Sequence, residues 1–195
     1  MPRSDAVQNR EQIMQAFHQA TRKERPGLPT MSDIVRLSGL GRGTVYRHFP
    51  DIGSLAFAFM AVGYEPLFET TRKALRQAVT PEEVRAALKD HLLRYRSYSK
   101  EHLSILLRPE CITSDGYILA STSNRHSVRK ALRTLLASDL PDANSLECLS
   151  DLIARVAEPH HLQISGVTYD GEDPLAEQSI EAALSLADTY TQTRS

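Results

Sequence analysis

From Ile13 to Ala187 the apolar residues return every three or four positions and never settle into alternation. Ile13, Ala16, Phe17 and Ala20 fall at i, i+3, i+4 and i+7, one stripe of an α-helix. A like stripe recurs in Leu146, Leu149, Ile153 and Val156 at i, i+3, i+7 and i+10, and the first spacing again in Ile180, Ala183, Leu184 and Ala187. No stretch keeps the period of two that a half-buried strand requires. Such a chain buries its stripes by packing helix on helix, so the predicted class is all-α, with about nine helices. At 195 residues, 41 % of them hydrophobic, the chain has material for a real core in one large domain or two small ones.

Turn and cap residues divide the pattern. A first helix runs roughly from Asp5 to Glu24, and the RPGLP run at 25–29 breaks it. Thr30 caps a short second helix, Met31 to Ser38, with Asp33 in its first turn and Gly39 as its stop. A third helix fits Arg42–Phe49 and ends at Pro50. Asp51 caps a long fourth, bearing Leu55, Phe59, Val62 and Leu75, which Pro66 is expected to kink or split. Pro81-Glu82-Glu83 opens a fifth helix that reaches about Tyr98. Further helices are expected over Glu101–Leu107, Ser114–Ser138, Ser145 to Ser165 with an interruption at Pro159, and Asp173 to about Thr191.

The formal net charge is −1, but it is unevenly spread. Residues 1–60 hold eight Lys/Arg against five acids, leaving an acidic remainder. A basic head hints at nucleic-acid contact at one end. Cys111 and Cys148 lie in apolar surroundings and read as two buried free thiols. No apolar run approaches the ~20 residues of a membrane span, and the first residues lack the apolar stretch of a signal peptide. These features predict a cytoplasmic protein.

The segment GLGRGTVYRHFPDIGSL, 39–55, concentrates chemistry. Two short helices joined by a glycine turn and backed by an amphipathic helix describe a helix-turn-helix. Ile34, Val35, Leu40, Val45 and Phe49 would form its small core. Arg42, Gly43, Thr44, Tyr46, Arg47 and His48 would then face outward. Arginine can pair in bidentate fashion with guanine edges, and the hydroxyls and imidazole can bond phosphate oxygens. Gly43, without a side chain, lets the helix approach a groove closely. On residues alone, a solvated amphipathic helix in a bundle is the alternative.

The order of residues narrows the choice. MSDIVRLSGLGRGTVYRHFPDIGSL resembles the DNA-binding segment of the tetracycline-repressor (TetR) family of bacterial transcription regulators. The resemblance rests on Ile34, Gly39, Thr44, Tyr46, His48-Phe49 and Leu55, reaches back to Ile13 and Phe17, and covers roughly residues 10–60. It implies that the third helix enters the major groove with Tyr46 and His48 on phosphates. It implies base or adjacent phosphate contacts from Arg42, Thr44 and Arg47, and a phosphate at the start of the second helix, near Thr30 and Ser32. Two positions depart from the family pattern: Gly41 replaces the usual hydroxyl cap, and Ile52 the usual lysine. The missing lysine implies a shallower salt dependence.

The resemblance further implies residues 1–50 as a three-helix DNA-binding domain and 51–195 as a helical effector-binding and dimerisation domain, with 51–65 as the linking helix. A four-helix dimer seam would use Leu149, Ile153 and Val156 with Ile180, Ala183, Leu184 and Ala187; intrachain core is the other reading. Effector candidates are Phe68, His91, Tyr95, Tyr98, His102 and Tyr117, with core packing as the alternative for each. His160-His161 lacks partners at metal-ligand spacing, so no metal or other cofactor is expected. No catalytic motif appears, and no enzyme is predicted. The expected function is a sequence-specific transcriptional regulator, a repressor that binds a pseudo-palindromic operator in double-stranded DNA as a homodimer. A small-molecule effector of unknown identity would release it. The rival is a helical protein–protein adaptor whose helix-turn-helix does not bind DNA.

Overall fold

The computed structural model describes residues 2–21, 29–109, 115–137, 141–167 and 172–192. Among them every regular element is helical: α1 Pro2–Thr21, α2 Met31–Ser38, α3 Arg42–His48, α4 Ile52–Gln77, α5 Pro81–Glu101, α6 Leu103–Leu106, α7 Asp115–Leu135, α8 Ala143–Arg155, α9 Pro159–Ile164 and α10 Ala176–Gln192. The all-α expectation is met. Pro66 does not split α4, which runs through it unbroken. Proline removes one helical amide, and the carbonyl it frees is that of Val62. Pro66 and Val62 are both exposed, on a side where water can satisfy that carbonyl. Val62 is 62 % exposed.

Contacts divide the chain into two compact units, Met1–Val62 with Ser104–Ile118, and Gly63–Leu103 with Leu119–Ser195. The α4 helix contributes to both. The first unit has one core, in which Ile13 and Phe17 of α1, Ile34 of α2, Val45 of α3, Phe49, Leu55 of α4 and Ile105 of α6 are buried. Val35 and Leu40 pack at its edge rather than inside it. The Phe17 and Phe59 rings lie 5.4 Å apart, and burial of each large side chain contributes about 1.5–3 kcal/mol. Gln12 Nε2 donates to the Ser38 carbonyl at 2.6 Å, satisfying an orphan acceptor at the end of α2 and tying α1 to it.

The second unit packs α5 against α10 and α9, and α10 against α8. Thr80 and Glu83 form a capping box at the start of α5, as Pro81 at the first position suggests. Arg85 and Lys89 of α5 pair with Glu181 of α10 at 3.0 and 2.8 Å. Arg96, 1 % exposed, grips the Asp173 carboxylate with two nitrogens and also donates to the Val156 carbonyl. It thereby holds the end of α8 and the approach to α10 on α5. A buried polar relay crosses the same unit. Thr71 Oγ1 meets His91 Nδ1 at 2.9 Å, His91 Nε2 meets Asn124 Oδ1 at 3.0 Å, and Asn124 Nδ2 donates to Glu158 Oε1 at 3.0 Å and the Ala154 carbonyl at 3.2 Å. Burial holds the His91 imidazole down to about 4, so the ring is neutral near pH 7. Among the described residues no helix is long and apolar enough to cross a membrane.

Candidate nucleic-acid interface

The turn between α2 and α3 is built by two glycines with different tasks. Gly39 takes φ 67°, ψ 7°, the left-handed conformation that closes α2 and that a side chain resists. Gly41 is the extended N-cap of α3 with no side chain to cap it; its carbonyl instead accepts from the Thr44 and Val45 amides at 2.9 and 3.1 Å. Val45 and Phe49 are buried, at 0 % and 2 %. Those two anchors turn the remaining residues of α3 outward.

Arg42, Gly43 and Arg47 are exposed, and Thr44, Tyr46 and His48 half-buried. A Cβ added at Gly43 would meet nothing within 4 Å, so its bareness serves no packing need within the chain. The Arg42 guanidinium lies over the Tyr46 ring, 5.2 Å from its centroid. Neither Arg42 nor Arg47 has a carboxylate partner among the described residues. Several cations of the second unit, in contrast, are paired: Arg85, Lys89, Arg96, Arg125, Arg129 and Arg155 each lie within ion-pair distance of an acid. The outward arc of α3 is therefore a surface of unneutralised positive charge beside hydroxyls.

His48 and Thr30, both near expected phosphate contacts, have defined surroundings in the structure. His48 Nε2 is buried with no hydrogen-bond partner among the described residues. The Thr30 hydroxyl is committed to a capping box: it accepts from the Asp33 amide at 3.1 Å and donates to the Asp33 carboxylate at 2.7 Å. That bond, followed by the bond from Arg36, brings Asp33 down to about 2. The carboxylate at the α2 N-terminus thus stays charged and opposes an incoming phosphate. Ser32 is exposed beside it.

One cation belongs to this surface that the sequence showed only as part of a basic head. Arg10 of α1 places its guanidinium over the Phe49 ring, 4.7 Å from the centroid. It too has no carboxylate partner among the described residues. Its position three residues before Ile13, on the stripe that faces the core, is the signal that could have found it.

The expected effector residues mostly fill space. Phe68, His91 and Tyr95 are 7 %, 0 % and 1 % exposed and pack on one another and on Tyr64. They serve as core. Tyr98 and His102 are half-buried, their rings 4.4 Å apart, and Tyr98 lies so close to α4 that a Cβ on Gly63 would strike its hydroxyl. Tyr117 lies outside the residues whose side chains are described. A separate open cleft of about 230 Å³ lies among α5, α7 and α10. Leu135, Leu136, Leu184 and Ala187 line its apolar part, and Glu82, Arg85 and Asp188 its polar part.

The residues of the expected dimer seam are largely buried within the single chain. Leu149, Ile153, Ile180, Ala183, Leu184 and Ala187 are at most 8 % exposed within a single chain, and Val156 is half-buried. The α8 and α10 stripes face each other and the core, because one chain already needs both to close its second unit. What these helices expose instead is Leu152, 50 % accessible, and Leu186, 42 %. Cys148, expected to be buried, is exposed on α8 one turn from Leu152, and Cys111 lies outside the described residues. Among the described residues no group of three or more His, Cys, Asp or Glu is placed to hold a metal ion.

Comparisons with known proteins bear on this geometry. No protein-family profile matches the chain. An HTH-type transcriptional regulator of Staphylococcus aureus, SAB2452, is 28 % identical over 98 residues, 50 % of this chain and 53 % of that protein. The match thus spans about half the length of that relative. Two solved structures match over nearly the whole chain. One is the R. erythropolis transcriptional repressor QsdR from the TetR family, at 20 % identity and TM-score 0.52, covering 94 % of each chain. The other is the TetR-family repressor AlkX from Dietzia sp. strain DQ12-45-1b, at 21 % identity and TM-score 0.54, covering 94 % of this chain and 95 % of that one. The chain has the all-α fold of these TetR-family repressors, as its resemblance implied.

Proposed function

We propose that this chain is a TetR-type transcriptional regulator, a repressor that binds a pseudo-palindromic operator in double-stranded DNA as a homodimer. The observation that carries the reading is the outward arc of α3: Val45 and Phe49 buried beneath, Arg42 and Arg47 exposed above without carboxylate partners, Gly43 bare between them. An arc of this kind suits base edges flanked by phosphates. Similarity to regulators and repressors, in sequence over half the chain and in fold over nearly all of it, supports the same reading. The role is non-enzymatic, and its target places the protein in the cytoplasm.

One recognition helix reads too few base pairs to find a genomic site, so two copies are required. Leu152 and Leu186, the large apolar side chains that α8 and α10 leave exposed, supply the self-complementary patch for a two-fold seam. An effector that releases the operator would bind one arrangement of the dimer better than the other. The cleft among α5, α7 and α10, apolar at its floor and charged at its rim, suits a mostly apolar small molecule with polar handles.

A shift assay with genomic fragments at two salt concentrations tests the core of the proposal. A regulator retards specific fragments at low nanomolar to micromolar concentrations and loses them as salt rises. A protein–protein adaptor would show no sequence preference, and that outcome would overturn the reading.

A further inference from the structure

We infer that Arg10 of α1 is a DNA-phosphate contact, held by Phe49 beside the C-terminal end of the recognition helix, so that two helices rather than one carry the charge of the interface. The inference rests on the DNA-binding reading above. Arg10 shares a helix face with Ile13 and Phe17, at i, i+3 and i+7, and both of those side chains are fully buried. The stripe that fixes α1 in the core therefore continues past the core at Arg10 and brings it to the surface. There its guanidinium meets Phe49, the C-cap of α3, whose ring is 2 % exposed and whose amide still bonds the Val45 carbonyl at 2.9 Å.

Stacking on an aromatic face leaves the edge of a guanidinium free. All five of its N–H donors point outward in plane, the geometry that bonds phosphate oxygens. No carboxylate among the described residues competes for them. Arg42 is pinned in the same way at the other end of α3, on Tyr46. A seven-residue helix spans about 10 Å, close to the ~12 Å width of the major groove. A helix lying in the groove therefore has an aromatic-held arginine at either end, Arg42 toward the base edges and Arg10 toward a phosphate wall.

The alternative occupant is no partner at all: Arg10 as a mere cover for Phe49. Arg10→Met keeps an aliphatic cover and removes the charge, while Arg10→Lys keeps the charge. The unaltered protein and both variants are titrated with a selected operator duplex and a scrambled duplex, from 50 to 300 mM salt. At about 0.9 per phosphate, one contact per subunit makes the log–log salt slope of Arg10→Met shallower by roughly 1.8 for a dimer. Specific and scrambled affinities fall by the same factor, and Arg10→Lys keeps the original slope. An unchanged slope in Arg10→Met, with operator binding intact in the unaltered protein, would overturn the inference and leave the regulator reading standing. If the unaltered protein binds neither duplex, both fall.

Discussion

The guanidinium of Arg42 lies over the ring of Tyr46, one helical turn away on the exposed side of α3. The two positions are i and i+4, so the contact costs the backbone nothing and fixes a long side chain that would otherwise sample many rotamers. Tyr46 can thus do two things: offer its hydroxyl to a phosphate and aim Arg42 at a base.

Substitutions separate these roles. Arg42→Ala should cost about 1–3 kcal/mol on the preferred operator and relax preference at one base pair per half-site. Tyr46→Phe should weaken all sequences alike while preserving the preference. Tyr46→Leu should lose part of the preference as well, because the platform is gone. Competition binding with operators substituted at each position reads all three. Retained preference in Tyr46→Leu would show that Arg42 needs no platform.

Gly43 offers a test in which stability and function move apart. A methyl group there meets nothing in the chain, and alanine is favoured over glycine in a helix by roughly 1 kcal/mol. Gly43→Ala should therefore raise the urea midpoint slightly and lower DNA affinity, because the added carbon stands between helix and groove. Chemical unfolding and fluorescence anisotropy on one preparation check both. Undiminished affinity would mean that Gly43 does not approach DNA closely.

Leu184 and Leu186 lie two residues apart on α10 and should behave oppositely. Leu184 is 1 % exposed, so Leu184→Arg buries an unpaired charge, costs on the order of 3–5 kcal/mol and should compromise folding. Leu186 is 42 % exposed, so Leu186→Arg should leave a single chain folded and helical but set like charges against each other across a two-fold seam. Light scattering should report a monomer that has lost specific operator binding. A Leu186→Arg protein that remains fully dimeric would place the seam elsewhere.

The neutral His91 gives the fold an acid-sensitive limb. Its folded value, about 4, lies below the usual 6.5, so the unfolded chain binds more protons between those pH values. Stability is therefore full above about pH 6.5 and falls as pH drops toward 4. Two and a half pH units correspond to about 3 kcal/mol. His161, lowered by partial burial and by Arg96, adds in the same direction. Carboxylates such as Asp33, held low by their hydrogen bonds, lose their contribution only at lower pH. Urea midpoints from pH 7 to 4.5 should decline in the unaltered protein and decline less in His91→Gln. Equal slopes would show that the ring is not the titrating group.

The local rules visible along the chain did much of the folding argument. Thr30 with Asp33 announces one helix start and Pro81-Glu82-Glu83 another, and both starts form capping boxes. Gly39 announces a left-handed stop, and Ile13, Phe17, Ile34, Val45 and Phe49 announce their burial by period. These interactions reach no more than a few residues along the backbone, or require only that an apolar stripe find some apolar partner. Sequence is sufficient for both. It was not sufficient to say which partner. The stripes on α8 and α10 were equally fit for a second copy or for their own chain, and the structure spends Ile153, Ile180 and Leu184 on the latter. The aromatic residues of α5 could line a hollow or fill one, and Tyr95 and His91 fill it against Tyr64, Phe68 and Asn124. Arg10 is one of eight basic residues in its first sixty until α1 docks and brings it to Phe49, thirty-nine positions on. Periodicity records how strongly a face avoids water. Only the packed chain decides what covers that face, because covering depends on distances between segments that no local spacing encodes.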